Sequence, residues 1–507
     1  MNEEIEFDWF KRWAKYSPNA VALKDAETGR EFSYSTSFRA ICSIAHHLRT
    51  ALKVQTGDRI AVLAQNEIEY VFLFFAAQRL GAILVPLNFR LTSREIQHIV
   101  NDSEPKVIVY QMQYEAIAME VGGATASFWS LDGNRSVQKL VDIAAASTRD
   151  INDLLYKSFD AEFEKPCMIL YTSGTTGAPK GALITPKMMH WNSISTGLRL
   201  NLCQQDVHVA FLPFFHTGGW NVLITPFLHR GAKTVLLKKF EPQTLVTLCE
   251  KEKATILFGV PTTMDMISQS PNFMDADFSS IRYAVVGGEP MPVPLISTWQ
   301  KKGIPIRQGY GLTEFGPNVF SLNEEDSIRK IGSIGFANMY IDTRVVDESG
   351  VDVKGNEIGE LILRGPAQTP GYWKNPDATA LTIKDGWLHT GDLVRIDEDG
   401  YCYVAGRKKD MYISGAENVY PVEIEQFLRS HPKIKEVAVI GVPDDKWGEV
   451  GKAFVVPQDG VELLAEEVLR FCNGQLAKYK VPKHIEFLKV LPKGDSGKIL
   501  KRELPRA

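Results

Sequence analysis

Apolar residues along this chain gather in short β-branched runs that give way to glycine, proline or polar residues. Arg59–Leu63, 106–110, 255–258 before Gly259 and Pro261, and 282–286 before Gly287 and Gly288 all have this form. Runs of this length without polar alternation are the pattern of strands buried on both faces of a parallel sheet. Helix-length amphipathic stretches lie between them, such as 93–101, where Thr92 or Ser93 serves as N-cap. The alternation predicts an α/β fold: a large N-terminal domain of mixed, mostly parallel sheets flanked by helices. In such sheets ligands bind beyond the carboxyl ends of the strands, so the glycine-rich exits carry the chemistry.

The texture changes at Gly406-Arg-Lys-Lys-Asp410, a charged break between two apolar stretches. We place the domain boundary there, giving domains 1–406 and 407–507. Strand-like 436–440, 453–456 and 484–488 and a helical stretch over 463–471 predict a small α+β domain, ending in the polar glycine loop Leu491-Pro-Lys-Gly-Asp-Ser-Gly-Lys498.

The chain has 507 residues, 44% hydrophobic and 23% charged, which is too long for one core and too apolar for disorder. A formal net charge of −4 supplies no basic field for nucleic acid. Six scattered cysteines show neither a disulfide framework nor thiolate metal spacing. The acidic N-terminus lacks a secretory leader, and the longest apolar run, 70–77, is far short of a membrane span. The expectation is a cytoplasmic protein with no transmembrane segment. Peripheral membrane contact and a homodimer stay open.

The most unusual strand exit is Tyr171-Thr-Ser-Gly-Thr-Thr-Gly-Ala-Pro-Lys-Gly181, preceded by strand-like 168–170. Glycines admit close approach of backbone N–H groups, hydroxyls donate and Lys180 neutralises, a combination suited to wrapping a polyphosphate. A plain Ser/Thr/Gly linker has similar composition, but linkers rarely set a lone lysine against an apolar strand. The P-loop pattern is absent, since Gly181 follows Lys180.

This block resembles the phosphate loop of the adenylate-forming superfamily of acyl-CoA synthetases, luciferases and peptide-synthetase adenylation domains. Gln308-Gly-Tyr-Gly-Leu-Thr-Glu314, Trp387-Leu-His-Thr-Gly-Asp392, Gly406-Arg-Lys-Lys-Asp-Met-Tyr-Ile-Ser-Gly415 and Gly497-Lys498 follow in that family's order. The resemblance implies ATP binding by Thr172, Ser173, Gly174, Thr175, Thr176, Gly177 and Lys180. It places Gly288, Glu289 and Pro290 beside the adenine, and Gln308, Gly309, Tyr310 and Gly311 around the nucleotide, with Tyr310 stacked on the base. Thr313 is expected to donate to the α-phosphate, Glu314 to supply a hard oxygen to Mg²⁺, Asp392 to accept the ribose hydroxyls and Arg407 to add a sugar contact. Lys498, whose ammonium would stabilise charge on the in-line oxygens, is the expected catalytic lysine of adenylation.

The second step is expected to use coenzyme A. Lys409 matches the family hinge about which a mobile small domain rotates, exchanging Lys498 for a face with Ser414, Gly415 and Ala416. The stretch from Ile413 to Glu425 resembles the fatty acyl-CoA ligase branch, with Ala416 where a second glycine is more usual, and no carrier-domain sequence follows Ala507. The acid pocket is expected to include His216, Trp220, Gly309, Gly311 and Phe315. The segment Phe211-Leu-Pro-Phe-Phe-His-Thr-Gly-Gly-Trp220 holds no carboxylate to pair an α-amine, which counts against amino acids. Medium- or long-chain fatty acids lead, followed by aryl and succinylbenzoate-type acids. A carrier protein as acceptor is the alternative to free coenzyme A.

Overall fold

The computed structural model describes residues 7–123, 126–134, 136–147, 159–172, 179–414, 417–494 and 499–506. Every buried run named above forms a strand. Arg59–Leu63 lies in a six-stranded sheet ordered Ser127–Ser130, Val107–Tyr110, Arg59–Leu63, Ile83–Leu87, Met168–Thr172 and Lys180–Ile184, parallel except for its last pair. Ile256–Gly259, Tyr283–Val286 and Ile306–Tyr310 form the parallel part of a second sheet. A third sheet joins Val21–Asp25, Lys233–Leu236 and Val207–Ala210 in parallel, with Glu31–Ser33 antiparallel at its edge.

The helices between these strands follow local rules. Ser93–Ser103 begins at Thr92, whose hydroxyl accepts from the Glu95 N–H while Glu95 reaches back, a reciprocal cap worth about 1 kcal/mol. The apolar run 70–77 belongs to Ile68–Arg79, a helix buried on every side. Its charged residues are buried only because each has an ion partner: Glu69 pairs with Arg30 at 2.8 Å, and Arg79 with Asp8. No described helix is long and apolar enough to cross a membrane. No disulfide joins any of the six cysteines.

A large N-terminal domain and a small C-terminal domain make up the fold. The strand Cys402–Arg407 pairs antiparallel with Trp387–Ile396 in a fourth sheet. The next strand, Tyr412–Ser414, belongs to a fifth sheet with Glu417–Val419, Gly448–Pro457, Ile434–Asp444 and His484–Phe487. Tyr412 is keyed into that sheet. Gly441 and Gly451 sit opposite each other on neighbouring strands, and a Cβ on either would overlap the tyrosine ring or its hydroxyl. The helices Pro421–Arg429 and Ala465–Cys472 pack on the same core through Ile424, Leu428, Val468 and Cys472.

Candidate active site

Met168–Thr172 and Lys180–Ile184 form a hairpin in which Thr172 lies opposite Lys180. The Thr172 hydroxyl donates to the Lys180 carbonyl at 3.4 Å. Ser173, Gly174, Thr175, Thr176 and Gly177, in the connection between them, lie outside the described residues. The Lys180 ammonium stands 5.7 Å from the centre of the Tyr372 ring, within range of a cation–π attraction. Tyr372 in turn donates its hydroxyl proton to Glu314 Oε1 at 2.8 Å. Burial, then the Glu314 charge, pushes the Tyr372 phenol above its ordinary pKa, so it stays a donor.

Ile306–Tyr310 delivers the block Gln308 to Glu314 at its carboxyl end. Gln308 is buried and its side-chain oxygen accepts from the Met291 N–H at 3.3 Å, tethering the loop that carries Gly288, Glu289 and Pro290. Gly288 has φ +87°, a left-handed conformation that favours glycine. Gly311 is required sterically, because a Cβ there would overlap the Pro317 carbonyl. Thr313, Glu314 and Phe315 form a single 3₁₀ turn. Phe315 is 1% exposed and packs beneath that turn with Val319, Phe320 and Leu363.

Asp392 lies opposite Arg407 in an antiparallel register, with Arg407 Nε 3.4 Å from Oδ1. Its other oxygen accepts the Tyr310 hydroxyl proton at 2.6 Å. Tyr310 is thus held by its hydroxyl, and burial raises its pKa well above the usual phenol value. The turn before Asp392 is held by Glu360, which accepts the Gly391 N–H at 3.2 Å and lies 3.4 Å from Lys408 Nζ. Thr390 closes the turn, its hydroxyl accepting the Asp392 N–H at 3.0 Å.

His216 and Gly309 keep partial exposure and Gly311 is exposed, but two residues expected beside them are buried. Trp220 is fully covered: its indole N–H donates to the Phe214 carbonyl at 2.6 Å and its ring stacks on Phe214 at 4.3 Å. Trp220 packs against Tyr70, Phe74 and Phe214, and Phe315 belongs to the same buried cluster as Val319, Phe320 and Leu363. Asn66 fixes the segment before His216, donating to the Leu212 carbonyl at 2.9 Å and accepting the Phe214 N–H at 3.1 Å.

On the small-domain side Lys409 is exposed and Ser414 is buried in its strand. Gly415, Ala416 and Lys498 lie outside the described residues. Tyr372, Glu360 and Asn66 are the contributors that sequence reading missed. Of these only Tyr372 had a signal, a Gly-Tyr-Trp step after Pro370 that repeats the glycine–aromatic character of the Gln308 block. A cavity of about 420 Å³ bordered by Thr185, Lys187, Arg364 and Gln368 shares no residue with these blocks.

Residues 10–373 match the model of the AMP-binding enzyme family, and residues 423–498 match that of the AMP-binding enzyme C-terminal domain. The chain belongs to the AMP-binding enzymes, as an acid–thiol ligase. It is 38% identical to a feruloyl-CoA synthase from Amycolatopsis sp, across 98% of both chains. It is 35% identical to the long-chain-fatty-acid–CoA ligase FadD13 of Mycobacterium tuberculosis, across 97% of this chain and 96% of that one. Among solved structures it resembles the o-succinylbenzoate CoA synthetase of Bacillus subtilis in complex with its acyl-adenylate intermediate. That match has 29% identity and a TM-score of 0.87 over 99% of this chain and 98% of that one. The same Bacillus enzyme has also been solved with ATP and a magnesium ion.

Proposed function

We propose that this ligase activates an apolar monocarboxylic acid on ATP and passes the acyl group to coenzyme A, with aryl acids ahead of long-chain fatty acids. The observation that carries the reading is the placement of two polar couples on either side of one short segment. Tyr310 binds Asp392 at 2.6 Å on the sugar side, while Glu314, four residues on, binds Tyr372 beneath Lys180 on the phosphate side. A nucleotide laid along Tyr310 to Glu314 meets a ribose acceptor at one end and a phosphate cation at the other.

Magnesium fits this donor set. Among the described residues no group of three His, Cys, Asp or Glu side chains is arranged to hold a metal. Mg²⁺ characteristically takes one or two carboxylates and completes its shell with phosphate oxygens and water, so Glu314 alone suffices beside a triphosphate. When bound, the ion supplies charge neutralisation at the phosphates. The chain's own residues then divide the work: Lys180 draws the phosphates, Tyr310 and Asp392 fix the nucleoside, and Thr313 donates to the α-phosphate. The acid carboxylate attacks the α-phosphorus and pyrophosphate leaves, with Lys498 offsetting charge on the in-line oxygens. Rotation of the small domain near Lys409 then brings Ser414, Gly415 and Ala416 to the site, and the coenzyme A thiolate displaces AMP from the acyl carbon.

The choice of acid rests on two supports. Similarity to a feruloyl-CoA synthase favours an aromatic acid. Trp220 and Phe315, two of the residues expected to line an apolar cavity for the acid, are enclosed by apolar neighbours instead. The test is a two-stage assay on acids from acetate to palmitate together with benzoate, coumarate, ferulate and succinylbenzoate, following pyrophosphate and then acyl-CoA. Highest kcat/KM on an aryl acid supports the reading, and highest kcat/KM on palmitate overturns its substrate half. Pyrophosphate release without acyl-CoA on any acid overturns the coenzyme A half.

A further inference from the structure

The segment 369–373 connects two groups that act at the triphosphate, and it does so through a built bracket. Its backbone runs along the strand that carries Lys180: Leu183 donates to the Gly371 carbonyl at 3.0 Å and Trp373 to the Gly181 carbonyl at 2.8 Å. At its start, the Thr369 N–H donates to the Glu314 carbonyl at 2.8 Å, and the Thr369 hydroxyl donates to the Leu183 carbonyl at 2.7 Å. Gly371 sits at φ +136°, where a Cβ would meet the Thr379 side chain, and the Thr379 hydroxyl accepts the Tyr372 N–H at 3.0 Å. The bracket therefore fixes both the position and the direction of Tyr372.

From that position one side chain serves two charges. The hydroxyl donates to Glu314 Oε1 at 2.8 Å, and the ring faces the Lys180 ammonium at 5.7 Å. We infer that Tyr372 is a positioning residue for adenylation, which orients the Glu314 carboxylate toward the metal-bound phosphates and registers it against Lys180. The hydrogen bond occupies one lone pair of Oε1 and orients the carboxylate, leaving Oε2 with no hydrogen bond among the described residues and able to face a cation. A partner that orients a metal-ligating group in this way typically contributes about 10- to 100-fold in metal affinity. The cation–π contact is weaker and steers the lysine without competing for its protons.

The inference rests on the reading of Glu314 as the magnesium carboxylate, and its deciding measurement, Mn²⁺ binding, does not require thioester formation. Tyr372→Phe keeps the ring and removes the hydroxyl. Binding of Mn²⁺ to the enzyme saturated with a non-hydrolysable ATP analogue is measured by electron paramagnetic resonance, for the wild type, Tyr372→Phe, Glu314→Gln and the double variant. The expected result is Mn²⁺ binding about tenfold weaker in Tyr372→Phe, with no further weakening when that change is added to Glu314→Gln. Thiolysis of supplied acyl-adenylate, which involves no pyrophosphate, is expected to stay at the wild-type rate. Wild-type Mn²⁺ affinity in Tyr372→Phe overturns the inference, as does equal loss in both half-reactions, which would mark a general structural lesion. If the wild type makes no acyl-CoA at all, the acceptor assignment fails while the Mn²⁺ comparison still decides the role of Tyr372.

Discussion

The Tyr310 hydroxyl donates to Asp392 at 2.6 Å across 82 residues of sequence, joining the strand exit that carries the nucleotide block to the turn that would hold the ribose. Hydrogen bonds to a charged group contribute about 1.5 to 3 kcal/mol. Tyr310→Phe retains a ring for the base and releases Asp392. The expected outcome is ATP affinity about tenfold weaker or more, read by calorimetry, with the acid KM unchanged. Equal weakening for acid and ATP would show that the tyrosine shapes the whole site rather than the nucleoside end.

Lys498 and Lys409 are proposed to act in different half-reactions. Lys498→Ala should lower acid-dependent pyrophosphate release by about 100- to 1000-fold, the cost of losing one transition-state charge partner. Thiolysis of supplied acyl-adenylate should survive. Lys409→Pro should show the reverse, since a fixed φ at the hinge blocks rotation but leaves the adenylating arrangement in place. Rapid-quench measurement of each half-reaction separates them, and equal losses in both steps for Lys409→Pro would sink the hinge.

Trp220→Ala tests where that residue acts. Its ring is fully buried against Phe214, Phe74 and Tyr70, so truncation should cost about 3 to 5 kcal/mol of folding stability, measured by urea denaturation. Substrate preference among acids should not change in the folded fraction. A change of preference with little loss of stability would return Trp220 to the acid pocket.

Buried histidines should make stability fall with acid. Burial pushes His229 down to about 3 and His208 down to about 4, and lowers His190, which packs 5.1 Å from the His229 ring. An unfolded imidazole takes up a proton near pH 6.5. Their stabilisation is therefore complete above about pH 6.5 and is lost as pH falls toward the folded values, by up to about 1.4 kcal/mol per unit for each histidine. Urea midpoints between pH 7.5 and 5 should fall steadily, and His229→Gln should flatten that slope. A flat profile in the wild type would show that these rings are solvated.

The strands and their glycine exits were readable because local composition determines them: a run such as Arg59–Leu63 has only one comfortable place, inside a parallel sheet. The order of the nucleotide blocks was readable for the same reason, since each occupies a few consecutive residues. Pairings between blocks were not. Glu314 meets Tyr372 at a separation of 58 residues, and nothing in either local sequence names the other. Trp220 was read as a pocket residue and is fully buried, because an aromatic residue beside a glycine-rich turn looks the same in a pocket wall and in a core. Only the shell provided by Tyr70, Phe74 and Phe214 distinguishes them.

The seat of Tyr412 between Gly441 and Gly451 makes three positions, far apart in sequence, behave as one inherited character. Any side chain at either glycine would need the volume that the ring occupies, so single replacements are penalised and paired ones are permitted. Across relatives, a smaller residue at position 412 should accompany alanine or serine at 441 or 451, while the tyrosine should be found only where both glycines remain. Tyr412 follows Lys409 by three residues. Drift at this triplet would therefore register, generation by generation, how firmly the small domain has had to grip the strand that follows Lys409.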